Sequence, residues 1–263
     1  MTAMTRPRPA STRWLPGLLP LCLCLTACAS APPVAGPAAE AAAGTPAAAA
    51  QEAANPTALP LPQGSQRYRF SWDGQLEGSA TRSLSCQQDD CSLRTEASVP
   101  GMASLNEVSR FRWQDGQVRF EDYQRNILLL FLPQNVRISR QNGQIVTERK
   151  GKQRSYADAP DLIDTLGLEA QLRADLVRGG KPRARYRVAE VKEPVEVTLE
   201  ELPGEKLTLA GRELDTRVFR RRSADGARET TLWLDPAQSF LPVQVVHKDE
   251  GNTYRLVWAG PVN

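Results

Sequence analysis

The chain has 263 residues, of which 41% are hydrophobic and 24% charged, with a formal net charge of +3; this is ordinary globular composition, enough for one good-sized domain. Arg6, Arg8 and Arg13 all precede position 28, where no acidic residue occurs, so the remainder is balanced at thirty basic and thirty acidic groups. A neutral body offers no net field to a phosphate backbone, which argues against nucleic acid as the main partner, and a single His with five Cys leaves little material for metal or triad chemistry.

The chain opens with those three arginines, followed by an apolar run from Trp14 to Leu25 that is interrupted by Pro16 and Pro20. A run of this length falls well short of the ~20 residues a membrane-spanning helix needs. Charged, apolar and small-residue regions in that order describe a secretory signal over residues 1–27. Leu25-Thr26-Ala27-Cys28 resembles the bacterial lipoprotein box, which implies a lipidated Cys28 (palmitate among its acyl chains) as the new N-terminus. Several acyl chains together anchor stably where one would bind only marginally. Ala29 and Ser30 lack the Asp that retains such proteins at the inner membrane, so the implied address is the periplasmic face of the outer membrane.

Residues 28–65 read as a tether. Fifteen Ala and seven Pro dominate positions 29–65, no aromatic residue is present, and the prolines break every Ala-rich run before a helix can propagate. With little to bury, the segment is expected to stay disordered.

From Gln66 to Asn263 the pattern changes to period two and predicts one β-rich domain. Tyr68, Phe70 and Trp72 share one face and Arg67, Arg69 and Ser71 the other, ending at Asp73-Gly74. Such dipeptides mark hairpins because both turn positions need positive φ; Asp115-Gly116, Asn142-Gly143 and Asp225-Gly226 repeat the signal. Alternating runs predict about eleven antiparallel strands with one wetted face. Asp158-Ala-Pro-Asp161 offers a helix cap and an early Pro, leading into Leu162, Ile163, Leu166, Ala170, Leu172 and Leu176 before Gly179-Gly180, with Gly167 a candidate break. One helix cannot cover both faces of a sheet. The expected fold is therefore mainly β: a strongly curved sheet forming an incomplete or half-open barrel, with the helix on its concave side.

Cys86 and Cys91 enclose four residues between alternating runs and are expected to form a disulfide across a hairpin end. His247 reads as an exposed hairpin-end residue. The adjacent carboxylates Asp89-Asp90, Glu200-Glu201 and Asp249-Glu250 read as solvated turns, since strand neighbours point to opposite faces. No catalytic residue, metal site or cofactor is expected. Arg183, Arg185 and Arg187, with Arg217, Arg220, Arg221 and Arg222, read as the wet side of the sheet, with Glu196 and Glu200 placed to lie alongside. Ile127, Leu128, Leu129, Leu130, Phe131 and Leu132 do not fit a half-wet strand. Two readings stay open: a strand buried on both faces, or an exposed apolar lip that meets acyl chains or a partner. These six residues, with Leu162 and Leu166, are the candidate ligand or membrane contacts.

Tyr68-Arg-Phe-Ser-Trp-Asp-Gly74 with Gly78, Asp161-Leu-Ile-Asp-Thr-Leu166 with Leu172-Arg173, and Leu232-Trp-Leu-Asp235 with Leu241-Pro-Val243 and Gly251 resemble the bacterial periplasmic family known as domain of unknown function 3108. That resemblance implies a scaffold and no catalytic residue. A lipid-anchored curved sheet with an internal helix is also similar, at fold level only, to carriers that move lipoproteins to the outer membrane. The expected function is a monomeric, non-enzymatic lipoprotein that holds a hydrophobic ligand, such as an acyl chain or apolar peptide, in the sheet's concavity. An envelope scaffold that binds periplasmic proteins, with a filled core and no ligand, is the alternative.

Overall fold

Turn chemistry cuts the chain into strands. The computed structural model describes residues 58–249 and 251–262; the signal segment, Cys28 and most of the expected tether lie outside them. Asp73 and Gly74, Asp115 and Gly116, and Asn142 and Gly143 all have positive φ, as their dipeptides predict. The resulting strands are β1 (Gly64–Trp72), β2 (Leu76–Gln87), β3 (Asp90–Val99), β4 (Ala103–Gln114), β5 (Gln117–Leu129), β6 (Leu132–Gln141), β7 (Gln144–Arg149), β8 (Lys152–Ala157) and β9 (Leu162–Ile163), followed by helix α1 (Thr165–Val177) and then β10 (Arg185–Val188), β11 (Val195–Leu209), β12 (Arg212–Ser223), β13 (Arg228–Asp235), β14 (Leu241–Asp249) and β15 (Asn252–Pro261).

All fifteen strands belong to one sheet, in the order β8-β7-β6-β5-β4-β3-β2-β1-β15-β14-β13-β12-β11-β10-β9. Neighbours are antiparallel except β9 and β10, which run parallel. The sheet must curl. Laid flat, fifteen strands would span about 65–70 Å, yet the edge strands β8 and β9 are joined by residues 158–161 alone, a link that reaches roughly 15–20 Å at full stretch. Side chains also tie the β7–β8 side to the segment after β10: Thr147 Oγ1 donates to the Val191 carbonyl at 2.8 Å and Tyr156 Oη to the Glu190 carbonyl at 2.9 Å. The result is a large curved sheet that is not closed into a barrel.

The count exceeds eleven because several strands carry little apolar alternation. β8 is Lys-Gln-Arg-Ser-Tyr-Ala, almost wholly exposed. In the other direction, Val195–Leu199 and Leu207–Leu209 belong to one strand, β11, with a register shift between Leu202 and Glu205.

Helix α1 starts later than its sequence signals suggest. Leu162 and Ile163 pair with Arg187 and Val188, so they are extended, and the cap is Asp164, whose carboxylate accepts from the Leu166 and Gly167 amides at 2.9 and 3.0 Å. Asp158 and Asp161 instead form ion pairs with Arg140 and Arg187. Gly167 does not divide the helix; a Cβ there would lie 2.7 Å from Asp164 Oδ2 and 3.1 Å from Val118 Cγ1, so its bareness lets the capped helix sit tightly on β5. The helix is not amphipathic in the usual sense, since even Glu169, Gln171 and Arg173 are buried. It packs chiefly on β4 and β5 and also touches β3 and β10, in a cluster with Phe111, Trp113 and Phe120. A second cluster gathers Tyr68, Trp258, Val243 and Leu241 around β1, β14 and β15. Residues ahead of position 66 also belong to the core and the sheet, since Leu61 is buried in the first cluster and β1 starts at Gly64.

Candidate functional site

Three places in the molecule are candidates for function: the tip of the β5–β6 hairpin, the inner charges beside α1, and the solvated arginines of the sheet.

At the tip, Leu129 pairs with Leu132 across a two-residue turn of Leu130 and Phe131. Both turn residues are left-handed, with φ of 46° and 68°, a conformation that favours Gly or Asn and costs a side-chain-bearing residue about 1–2 kcal/mol. Neither residue recovers that cost by burial: Leu128 is 44% exposed, Leu130 57%, Phe131 86% and Leu132 68%, while Ile127 and Leu129 are half-buried. The segment is therefore not a strand buried on both faces. The turn before β4 meets it, the Leu130 amide donating to the Met102 carbonyl at 2.9 Å, and the Met102 side chain is also exposed. Beside the tip, the β7–β8 hairpin end carries Arg149, Lys150, Lys152 and Arg154, all exposed, and the ion pairs among the described residues involve none of the four. Val136 pairs with Arg149, so the apolar tip runs past the basic turn by the four residues from Leu132 to Asn135.

Leu162 and Leu166 do not join that surface. Both are buried in the helix-side cluster, because β9 and the first turn of α1 are held against β5 and β10. A cavity of about 400 Å³ reaches Ile127 and Leu128, but much of its lining is small and polar, including Ser79, Thr81, Ser98, Ser104, Asn106 and Asn126. By strand alternation these polar side chains lie on the face opposite Ala80 and Ala97, away from the core. No described cavity borders both residues 127–132 and α1.

The inner face carries charges that α1 buries. Arg82 of β2 donates to Glu169 of α1 at 2.9 Å and to Thr95 at 3.1 Å. Tyr68 donates to the Pro242 carbonyl at 2.8 Å, and burial pushes its hydroxyl up to about 12. Arg173, one turn after Glu169, makes no hydrogen bond with a described residue, and its Nε is buried without a partner. These four side chains line a second cavity of about 290 Å³ with Leu84, Leu93, Leu241 and Pro242. Nearer the helix N-terminus, Ser109 donates to Asp164 at 2.7 Å, and burial raises the Asp164 carboxyl to about 6. Arg221 reaches the Thr165 carbonyl and Thr230.

His247 is not an exposed hairpin-end residue. It faces inward, with Nδ1 2.8 Å from Thr230 Oγ1 and its ring stacked on Tyr254, and burial lowers its pKa to about 4. The other arginines are solvated but do not share one face. Arg185 pairs with Glu196, Arg220 with Glu200 and Arg222 with Glu229 on the outer face, whereas Arg217 shares the face of buried Phe219, lies over its ring and pairs with Glu201. Glu200 and Glu201 thus sit in the middle of β11 rather than in a turn. Cys86 and Cys91 are register partners at the β2–β3 hairpin end, and their sulfurs are joined.

The Arg82–Glu169–Arg173 group did not stand out in the sequence, although two signals were present. Arg82 occupies an inward position between Ala80 and Leu84, and Glu169 and Arg173 are spaced i, i+4 on a helix whose neighbours are apolar.

No protein-family model matches the chain, so its resemblance to domain of unknown function 3108 rests on the quoted residues alone. No curated protein matches it. Among solved structures it is similar to a β-barrel-like protein of domain of unknown function 1849 from Brucella abortus, at 8% identity and a TM-score of 0.47, covering 74% of this chain and 95% of that one. It is also similar to the hypothetical lipoprotein YmcC from Escherichia coli, at 13% identity and a TM-score of 0.35, covering 77% of this chain and 89% of that one.

Proposed function

We propose that the chain is a non-enzymatic lipoprotein, held by Cys28 at the periplasmic face of the outer membrane, whose domain engages acyl chains through the β5–β6 tip. The observation that carries this reading is the tip itself: Leu130 and Phe131 hold strained backbone while presenting their side chains to solvent. Exposed strain of this kind points to function. Burying Leu130, Phe131 and Leu132 in an apolar phase would contribute about 1.5–3 kcal/mol each. The basic turn at 149–154 would add about 1 kcal/mol per charge near anionic headgroups. A lipid anchor at Cys28 followed by the tether that the composition of residues 28–65 predicts would bring the tip within reach of such a surface. α1 and its apolar cluster occupy the concavity beside β4 and β5, and no described cavity joins them to residues 127–132, which favours contact at the tip over an acyl chain held beneath it.

Sedimentation with vesicles of phosphatidylglycerol and phosphatidylethanolamine tests the proposal, using the chain from residue 28 onward with Cys28→Ser so that neither the signal segment nor the anchor masks the tip. Binding is expected, falling at least about tenfold when Leu130→Asn and Phe131→Gly are combined, since each lost anchor removes more than the 1.4 kcal/mol that equals a factor of ten. An unaltered tip that ignores vesicles, or an altered one that binds equally well, overturns the reading. In that case the envelope scaffold is favoured.

A further inference from the structure

The second cavity contains an electrostatic imbalance. Among the described residues, its charged lining groups are Arg82, Arg173 and Glu169. The Glu169 carboxylate is committed through Oε2 to Arg82, and its Oε1 is buried without a hydrogen bond. Arg173 is 4% exposed. Its neighbours Glu169 and Gln171 on the same helix both find partners, Gln171 accepting from the Val118 amide at 2.7 Å. Arg173 finds none among the described residues. Two guanidiniums therefore face one carboxylate, leaving one positive charge uncompensated in a largely buried place. Removing a charge from water without pairing it is costly, and burial correspondingly depresses the Arg173 pKa.

The rest of the cavity indicates what would complete it. Leu84, Leu93, Leu241 and Pro242 supply apolar wall, and the rim is formed by residues 62–64, where the chain enters β1, and by Gln238 and Ser239. At about 290 Å³ the space lies at the lower end of small-molecule sites. One net charge matches a monoanion, and a guanidinium fork matches a planar carboxylate in two parallel hydrogen bonds. We propose that this cavity binds the carboxylate of a small apolar-tailed acid, with Arg173 as its principal donor and the leucine wall taking the tail. The site shares no residue with the β5–β6 tip, so it stands or falls separately from vesicle binding.

Calorimetric titration of the full chain with octanoate, 1-octanol and inorganic phosphate tests the proposal. Octanoate is expected to bind saturably at one site, with octanol and phosphate each at least about tenfold weaker, since each lacks one half of the recognition. Arg173→Gln should weaken octanoate by on the order of ten- to a hundredfold. Glu169→Gln removes the internal competitor and should tighten octanoate binding, a gain that misfolding cannot imitate. Octanoate should also raise the melting temperature of the unaltered chain in a concentration-dependent way. Absence of saturable octanoate binding overturns the proposal, as do octanol or phosphate binding equally well and a Glu169→Gln variant that fails to gain affinity.

Discussion

Phe120 and Phe131 lie on the same hairpin and meet opposite fates. Phe120 is wholly buried against α1 in the largest apolar cluster, whereas Phe131 is 86% exposed at the turn that follows the same strand. Hydrophobicity along the sequence ranks the two the other way, since Phe131 sits in the most continuous apolar run of the domain and Phe120 among polar neighbours. The difference teaches that a side chain is buried by what the rest of the chain can bring over it. One helix of thirteen residues covers one end of this sheet. The far end of the β5–β6 hairpin projects beyond its cover.

Substitution at the two phenylalanines gives the largest contrast. Phe120→Ala should cost about 3–5 kcal/mol, while Phe131→Ala should stay within about 0.5 kcal/mol of the unaltered chain. Urea unfolding reads both, and equal losses at the two sites would show that the tip is covered in solution. The buried end should also respond to pH in a way the tip cannot. Asp164, raised to about 6, keeps a proton between about pH 4 and 6 that the unfolded chain has released, so its contribution falls as pH rises through that window. His247, lowered to about 4, stays neutral where the unfolded chain is protonated, so its contribution rises with pH between about 4 and 6.5. Each effect is on the order of 2–3 kcal/mol and they oppose. His247→Gln should therefore lose stability from pH 4.5 to 6.5 relative to Asp164→Asn, a comparison in which the surface carboxylates cancel. Parallel stability curves for the two variants would remove burial as the cause. A smaller effect is expected at the hairpin end of β2 and β3. Replacing Cys86 and Cys91 together by Ser should lower stability by about 2 kcal/mol in the chain-entropy description of so short a loop, with no change in vesicle binding.

Much of this architecture was legible in the residues. Asp73-Gly74, Asp115-Gly116 and Asn142-Gly143 marked hairpins because their backbones tolerate positive φ, and the balance of one helix against many strands implied a curved sheet. Leu130-Phe131 was not legible as a turn, since neither residue belongs to the types that relieve a left-handed backbone. The helix start was misplaced because Leu162 and Ile163 are apolar in either conformation, and only their pairing with Arg187 and Val188 decides for strand. The cavity charges were hidden for a related reason. Arg82 sits at an inward position of β2 and Arg173 among apolar neighbours of α1, but nothing in the sequence says that the two meet until the sheet curls and sets β2 against the helix.

The chain enters the sheet at β1 and leaves it at β15, and those two strands are partners, Tyr68 lying opposite Trp258. Every other antiparallel pairing joins strands that follow one another along the chain, so the sheet is two local meanders stitched by a single long-range seam. Joining residue 261 to residue 64 through a short linker and opening the chain within 158–161 would convert that seam into an ordinary hairpin. The rearranged molecule would keep every ladder of the original and lower its contact order, the quantity that most slows the folding of β-rich domains.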